Sequence, residues 1–148
     1  MTDKQQNKTM SEAKSKFSLT ELLSIILLVG LIFVFIIPVR QAKISSVRVS
    51  EAATMLKSIG DKAEDFRNNP ENGYYPDISQ LNLGSMIESD YFEYSIVSDD
   101  STVVAETKPA FGKQGAALVY SLSAKQYRIG KDESDQISQK FINENWLP

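Results

Sequence analysis

The chain contains no cysteine and no histidine, and it has a single tryptophan. Without cysteine there is no disulfide, no thiolate metal site and no cysteine nucleophile. Without histidine the commonest general base and the commonest zinc ligand are missing too. Positive charge is also scarce: 16 Lys and Arg against 19 Asp and Glu leave a net charge of −3. Nucleic-acid surfaces are normally basic, so no nucleic-acid partner is expected. The remaining side chains form no nucleophile–base pair in the sequence and no ordered set of metal ligands. That pattern argues against an enzyme and gives no reason to expect a cofactor.

What the chain has in abundance is one apolar run. From Leu22 to Val39 there is no charge, and nearly every residue is Leu, Ile, Val or Phe. As a helix the run covers ~27 Å, close to the ~30 Å hydrocarbon core of a bilayer. A core helix of a soluble domain does not stay apolar on every face for so long. The run is read as a membrane-spanning helix. Glu21 stands just inside its N-terminal end. A carboxylate costs roughly 2.5–3.5 kcal/mol at the bilayer centre and less near an end, which calls for a cationic partner. Alternatively Glu21 lies at the interface as a first-turn acid, a place the helix dipole favours. Pro38 closes the run and, inside a continuing helix, would remove one backbone hydrogen bond and kink it. Gly30 offers close approach to a neighbouring helix, or is simply a small residue in a long span.

These residues resemble the N-terminal segment of type IV pilins and of the pseudopilins of type II secretion. The likeness rests on Phe17 after a short basic leader, Ser18-Leu19-Thr20 following it, and Glu21 four residues past Phe17. Gly30 and Pro38 fall where the family has its helix glycine and proline, and Arg48-Val49-Ser50-Glu51-Ala52 continues in the same style. The likeness covers about Lys14 to Phe66; beyond Phe66 it is one of layout. It implies a membrane precursor, cut before Phe17 by a prepilin peptidase that also methylates the new amine. It further implies assembly into a filament with copies of itself or other pilin-like subunits, driven by an inner-membrane platform protein and an assembly ATPase. In that setting Glu21 would accept the Phe17 amine of an adjacent subunit, and the head would lie in the periplasm or outside. The family has glycine immediately before the cut, whereas this chain has Lys16. Without the cut Phe17 has no free amine to offer. The rival expectation is therefore an uncleaved single-pass membrane protein with an envelope-facing binding domain.

The expected organisation is a leader over 1–16, a transmembrane helix over 17–39, its amphipathic continuation over 40–67 and an αβ head over 68–148. The leader is polar, with Lys4, Lys8, Lys14 and Lys16 against Asp3 and Glu12. Arg40, Lys43 and Arg48 follow the span closely, so charge alone does not orient it and the resemblance does. Val49, Ala52, Leu56, Ile59, Ala63 and Phe66 recur at spacings of three and four, a stripe suited to packing on a sheet. A coiled-coil seam is the other reading of that stripe, though it is short and holds two alanines. Asn68 to Gly73 is a cluster of helix breakers, and Asp77 is placed to cap a short turn through Leu81. Tyr74 and Tyr75 cover a core edge or form a recognition surface.

Tyr91–Ser98 alternates apolar and polar, and Asp99-Asp100-Ser101 turns it back into a strand over Thr102–Lys108. Pro109–Gly115 reads as a loop that exposes Phe111. Ala116–Ser123 and Gln126–Ile129 form a second hairpin around Ala124-Lys125. The expected fold is α+β and pilin-like. A long N-terminal helix packs on a four-stranded antiparallel meander, whose far face meets water, and a short helical tail packs back on the head through Ile137, Phe141, Ile142, Trp146 and Leu147. The acids Asp99, Asp100, Asp132, Glu133 and Asp135 lack the spacing of an oxygen-ligand calcium loop and read as solvated turns.

Overall fold

The computed structural model describes residues 18–148, and the chain divides into two compact units, one ending at Arg40 and the other running Gln41–Pro148. A single long helix, α1, spans Leu19–Asn68 with Pro38 inside it. In the first unit it is apolar on all sides, and no residue of its most apolar 18-residue window is buried. Leu27, Leu28, Val34 and Phe35 are all more than half exposed. It is long and apolar enough to cross a membrane by length and composition.

In the second unit α1 becomes amphipathic. Val49, Ala52, Ala53, Leu56, Ile59, Gly60 and Ala63 are buried, the three- and four-residue spacing of a helix with one packed face. They lie against a four-stranded antiparallel sheet, β1 (Phe92–Val97), β2 (Thr102–Thr107), β3 (Ala117–Ser121) and β4 (Gln126–Ile129), in the order β1-β2-β3-β4. The register pairs Ile96 with Val103, Val103 with Tyr120 and Tyr120 with Tyr127, so these side chains share the helix-facing side. Fully burying a Leu or Ile such as Leu56 or Ile59 contributes roughly 1.5–3 kcal/mol, and the core repeats that gain along the whole stripe.

Two features let helix and sheet close on each other. Gly60 sits where an added Cβ would come within 2.9 Å of Leu122 Cδ2 and 3.0 Å of Tyr120 Cε1, so any larger residue must displace both side chains. The Tyr127 hydroxyl donates to the Ala53 carbonyl at 3.0 Å, tying β4 to α1 across the core. At the rim the Arg48 guanidinium lies 3.6 Å from the centre of the Tyr91 ring, a cation–π contact. Lys125, in the β3–β4 turn, forms an ion pair with Glu64 of α1.

The connections carry their own logic. α1 stops at Asn68, ahead of the breaker cluster. Asp77 then caps a 3-10 turn over Ile78–Leu81, its N–H donating to Gln80 Oε1 at 2.8 Å. Tyr75 accepts a 2.8 Å hydrogen bond from Arg67 and packs on the core, while Tyr74 stands edge-on to Phe66 and is half exposed.

Three expectations are corrected. Phe111 is buried rather than displayed: Pro109 starts a 3-10 turn that folds the ring inward, 5.2 Å from Phe92. The far face of the sheet is not wholly wet, because Val104, Ala117 and Val119 form a second small apolar cluster there, beside the Lys131–Glu106 ion pair. In the tail, α2 (Gln136–Phe141) leaves Ile137 and Phe141 substantially exposed and buries Ser138 instead. Ile142 carries the apolar contact, buried in the main core, with Trp146 and Leu147 packed against it.

Candidate functional site

The residues singled out by sequence lie at the start of α1 and along its apolar half. Ser18-Leu19-Thr20-Glu21 forms a reciprocal cap. Ser18 Oγ accepts from the Thr20 N–H at 3.3 Å, and Glu21 Oε2 accepts from the Ser18 N–H at 2.9 Å. The glutamate thus satisfies an otherwise orphaned donor and sits at the positive end of the helix dipole. Among the described residues it pairs with no cationic side chain. One turn on, Ser24 donates its hydroxyl to the Thr20 carbonyl at 2.8 Å, which hides its polarity within the helix. Thr20, Glu21, Ser24 and Ile25 together line a shallow open hollow.

Gly30 has open space around it, with nothing within 4 Å of where a Cβ would stand. Among the described residues nothing packs against the place of the missing side chain. Pro38 lies within α1, and having no N–H it leaves the Val34 carbonyl without its helical donor. Lys16 and Phe17, the residues of the expected cleavage, and the leader 1–16 lie outside the described residues.

The head offers different chemistry. Among the described residues, no group of three or more Asp or Glu side chains is placed to hold a metal ion. Two acids of the C-terminal turns, Asp132 and Asp135, have local partners. Asp132 Oδ1 accepts from the Ser134 N–H at 2.8 Å and its hydroxyl at 2.6 Å. Asp135 caps α2, accepting from the Ser138 N–H at 3.0 Å, the Ser138 hydroxyl at 2.6 Å and the Lys131 N–H at 3.2 Å. Partial burial acts to raise the Asp135 carboxyl, but the Ser138 and Lys131 hydrogen bonds outweigh it and hold the group below its ordinary 3.8. Ser138 then passes the connection inward, its Oγ accepting from the buried Ala117 N–H at 2.7 Å.

Sequence reasoning did not identify Gly60, Thr107 or Ser138 as structural determinants. Thr107 is buried with its hydroxyl donating to the Lys113 carbonyl at 2.6 Å and accepting from the Ala116 N–H at 2.9 Å, which holds the β2–β3 connection. A small polar residue at such a place gives no periodic signal. An open groove of about 1000 Å³ runs between β4 and the segment after α2. No family model, curated protein or solved structure matches the chain.

Proposed function

We propose that this chain is a structural subunit of a type IV pilus-like or type II secretion pseudopilus filament, held in the membrane by α1 before assembly. What carries the reading is α1 itself: one helix from Leu19 to Asn68, apolar on every side at first and amphipathic where it meets the sheet. An all-apolar half that no described residue buries suits first a bilayer and then a bundle of like helices. Glu21 at its head and Gly30 within it are the polar and small positions through which such helices would register. The inner membrane, the peptidase and the assembly machinery belong to this reading, as does a head in the periplasm or outside. The work would be mechanical, with no bond chemistry of the chain's own.

A second reading has an observation in its favour. The Glu21 carboxylate already accepts the Ser18 N–H, so capping alone accounts for it in an uncleaved single-pass protein. The two readings diverge under one substitution. In a lone span Glu21→Leu removes a costly carboxylate, and membrane abundance should hold or rise. In a filament it strands the partner amine in an apolar core at roughly 3–5 kcal/mol, lowering assembly by two to three orders of magnitude. Sheared filament yield at equal membrane abundance measures this. Mass spectrometry of the assembled protein should also find a chain beginning at Phe17. Assembly unchanged by Glu21→Leu leaves Glu21 an interfacial cap and returns the protein to the second reading, whereas an intact N-terminus in filaments overturns the pairing of Glu21 with a Phe17 amine.

A further inference from the structure

The sheet has two edges, and they are treated differently. β1 is flanked by the Asp77-capped turn, and its Phe92 N–H is given to Ser89 Oγ at 3.3 Å. On the outer side of β4, among the described residues, no backbone hydrogen bond ties the strand to another segment. The Gly130 N–H donates to the Ala117 carbonyl at 2.8 Å, and alternation along an antiparallel ladder then directs Gln126 and Arg128 toward β3. The N–H and C=O groups of Tyr127 and Ile129 therefore point away from the sheet, and among the described residues no hydrogen bond reaches them. They face the open groove, whose near wall is Tyr127, Arg128 and Ile129 and whose far wall includes Phe141, Trp146 and Leu147.

We propose that the free edge of β4 accepts an extended segment of another polypeptide, which adds to the sheet as a fifth strand within this groove. The outward main-chain groups dictate the backbone of the occupant, since only another extended chain supplies donors and acceptors at their spacing. Alternate side chains of that strand would meet the aromatic far wall. Asp132, Glu133 and Glu144 on the lining outnumber Arg128 and Lys140, which favours a segment with basic flanks. A second copy pairing edge to edge is disfavoured, because its own segment after α2 would occupy the same space. The proposal is independent of filament assembly and concerns the head alone.

The test uses the full chain in detergent and a synthetic peptide of alternating Val and Thr with a Lys at each end. Trp146, the only tryptophan, lines the groove and reports binding through its fluorescence. Saturable binding is expected, with slowed hydrogen exchange at the Tyr127 and Ile129 amides. A peptide N-methylated at every second amide keeps its side chains but cannot complete the ladder. It should bind at least about tenfold more weakly, the effect of losing one or two net hydrogen bonds. Equal binding of the methylated peptide, or no protection of those two amides at millimolar peptide, overturns the proposal. So does exchange at Tyr127 and Ile129 that slows with protein concentration alone, which would make a second copy the occupant.

Discussion

Gly60 shows how much of this fold depends on a single missing methyl. Helix propensity favours alanine over glycine by about 1 kcal/mol, so on α1 alone a substitution should help. The sheet reverses that preference, because the Tyr120 ring at 3.0 Å is rigid and has little room to yield. Gly60→Val should lower stability by about 2–3 kcal/mol, read from the chemical denaturation midpoint of the head. An unchanged midpoint would mean that the sheet can retreat from α1 at no cost. Nothing in the sequence around Gly60 distinguishes it from a dispensable glycine, because its neighbour Leu122 arrives from 62 residues later in the chain only once the sheet has formed. Glu21 is the opposite case. Its place as a first-turn acid was legible from the sequence, and in the structure its carboxylate accepts the Ser18 N–H at 2.9 Å.

At the scale of elements, what was legible followed periodicity. The stripe from Val49 to Ala63 and the alternation of β1 are each repeated signals, and the boundaries of all four strands fall within a residue or two of expectation. What escaped was short and polar. α2 is only six residues long, and its buried side chain is Ser138 rather than its apolar pair. The reason is that Ala117 opens β3 with an N–H that no strand residue takes, and burying a hydroxyl there costs less than orphaning the donor. Ser138→Ala should therefore cost about 1–3 kcal/mol, visible as faster exchange of the Ala117 amide and earlier proteolysis of the tail. Acid should act on the same latch through Asp135. Its carboxyl is held below 3.8 in the folded chain, so the stabilisation is complete above that value and is lost as pH falls through the folded value. Asp135→Asn should remove that acid step from the proteolysis profile, and a profile identical to the parent's would place the acid sensitivity elsewhere.

For the molecule as a whole, the head coheres without a cross-link or a metal-ligating histidine, through its main apolar core and the hydroxyl contact of Tyr127 with the Ala53 carbonyl between the sheet and α1. Its alkaline limit should follow Tyr94 and Tyr127, whose rings are partly buried. Burial first, and then the charge of Glu51, push Tyr94 from 10.0 up to about 12, and burial raises Tyr127 as well. A phenol whose folded value lies above its unfolded one stabilises fully below pH about 10, and that contribution falls away as pH rises toward 12. Phenolate absorbance should show Tyr94 ionising late and together with unfolding, and Tyr94→Phe should remove its share of the delayed absorbance. The membrane half asks for a different kind of measurement. Pro38 leaves the Val34 carbonyl with no donor along the helix, in the middle of a hydrocarbon-loving stretch. That oxygen is a single vibrational landmark on an otherwise uniform rod. With a carbon-13 and oxygen-18 label at Val34, its amide I band in a dry bilayer should lie above the frequency of a similarly labelled helical carbonyl at Leu28. Any neighbour that supplies a hydroxyl or a water to it should draw the band back down, so its colour in the infrared would tell whether α1 is alone or in company.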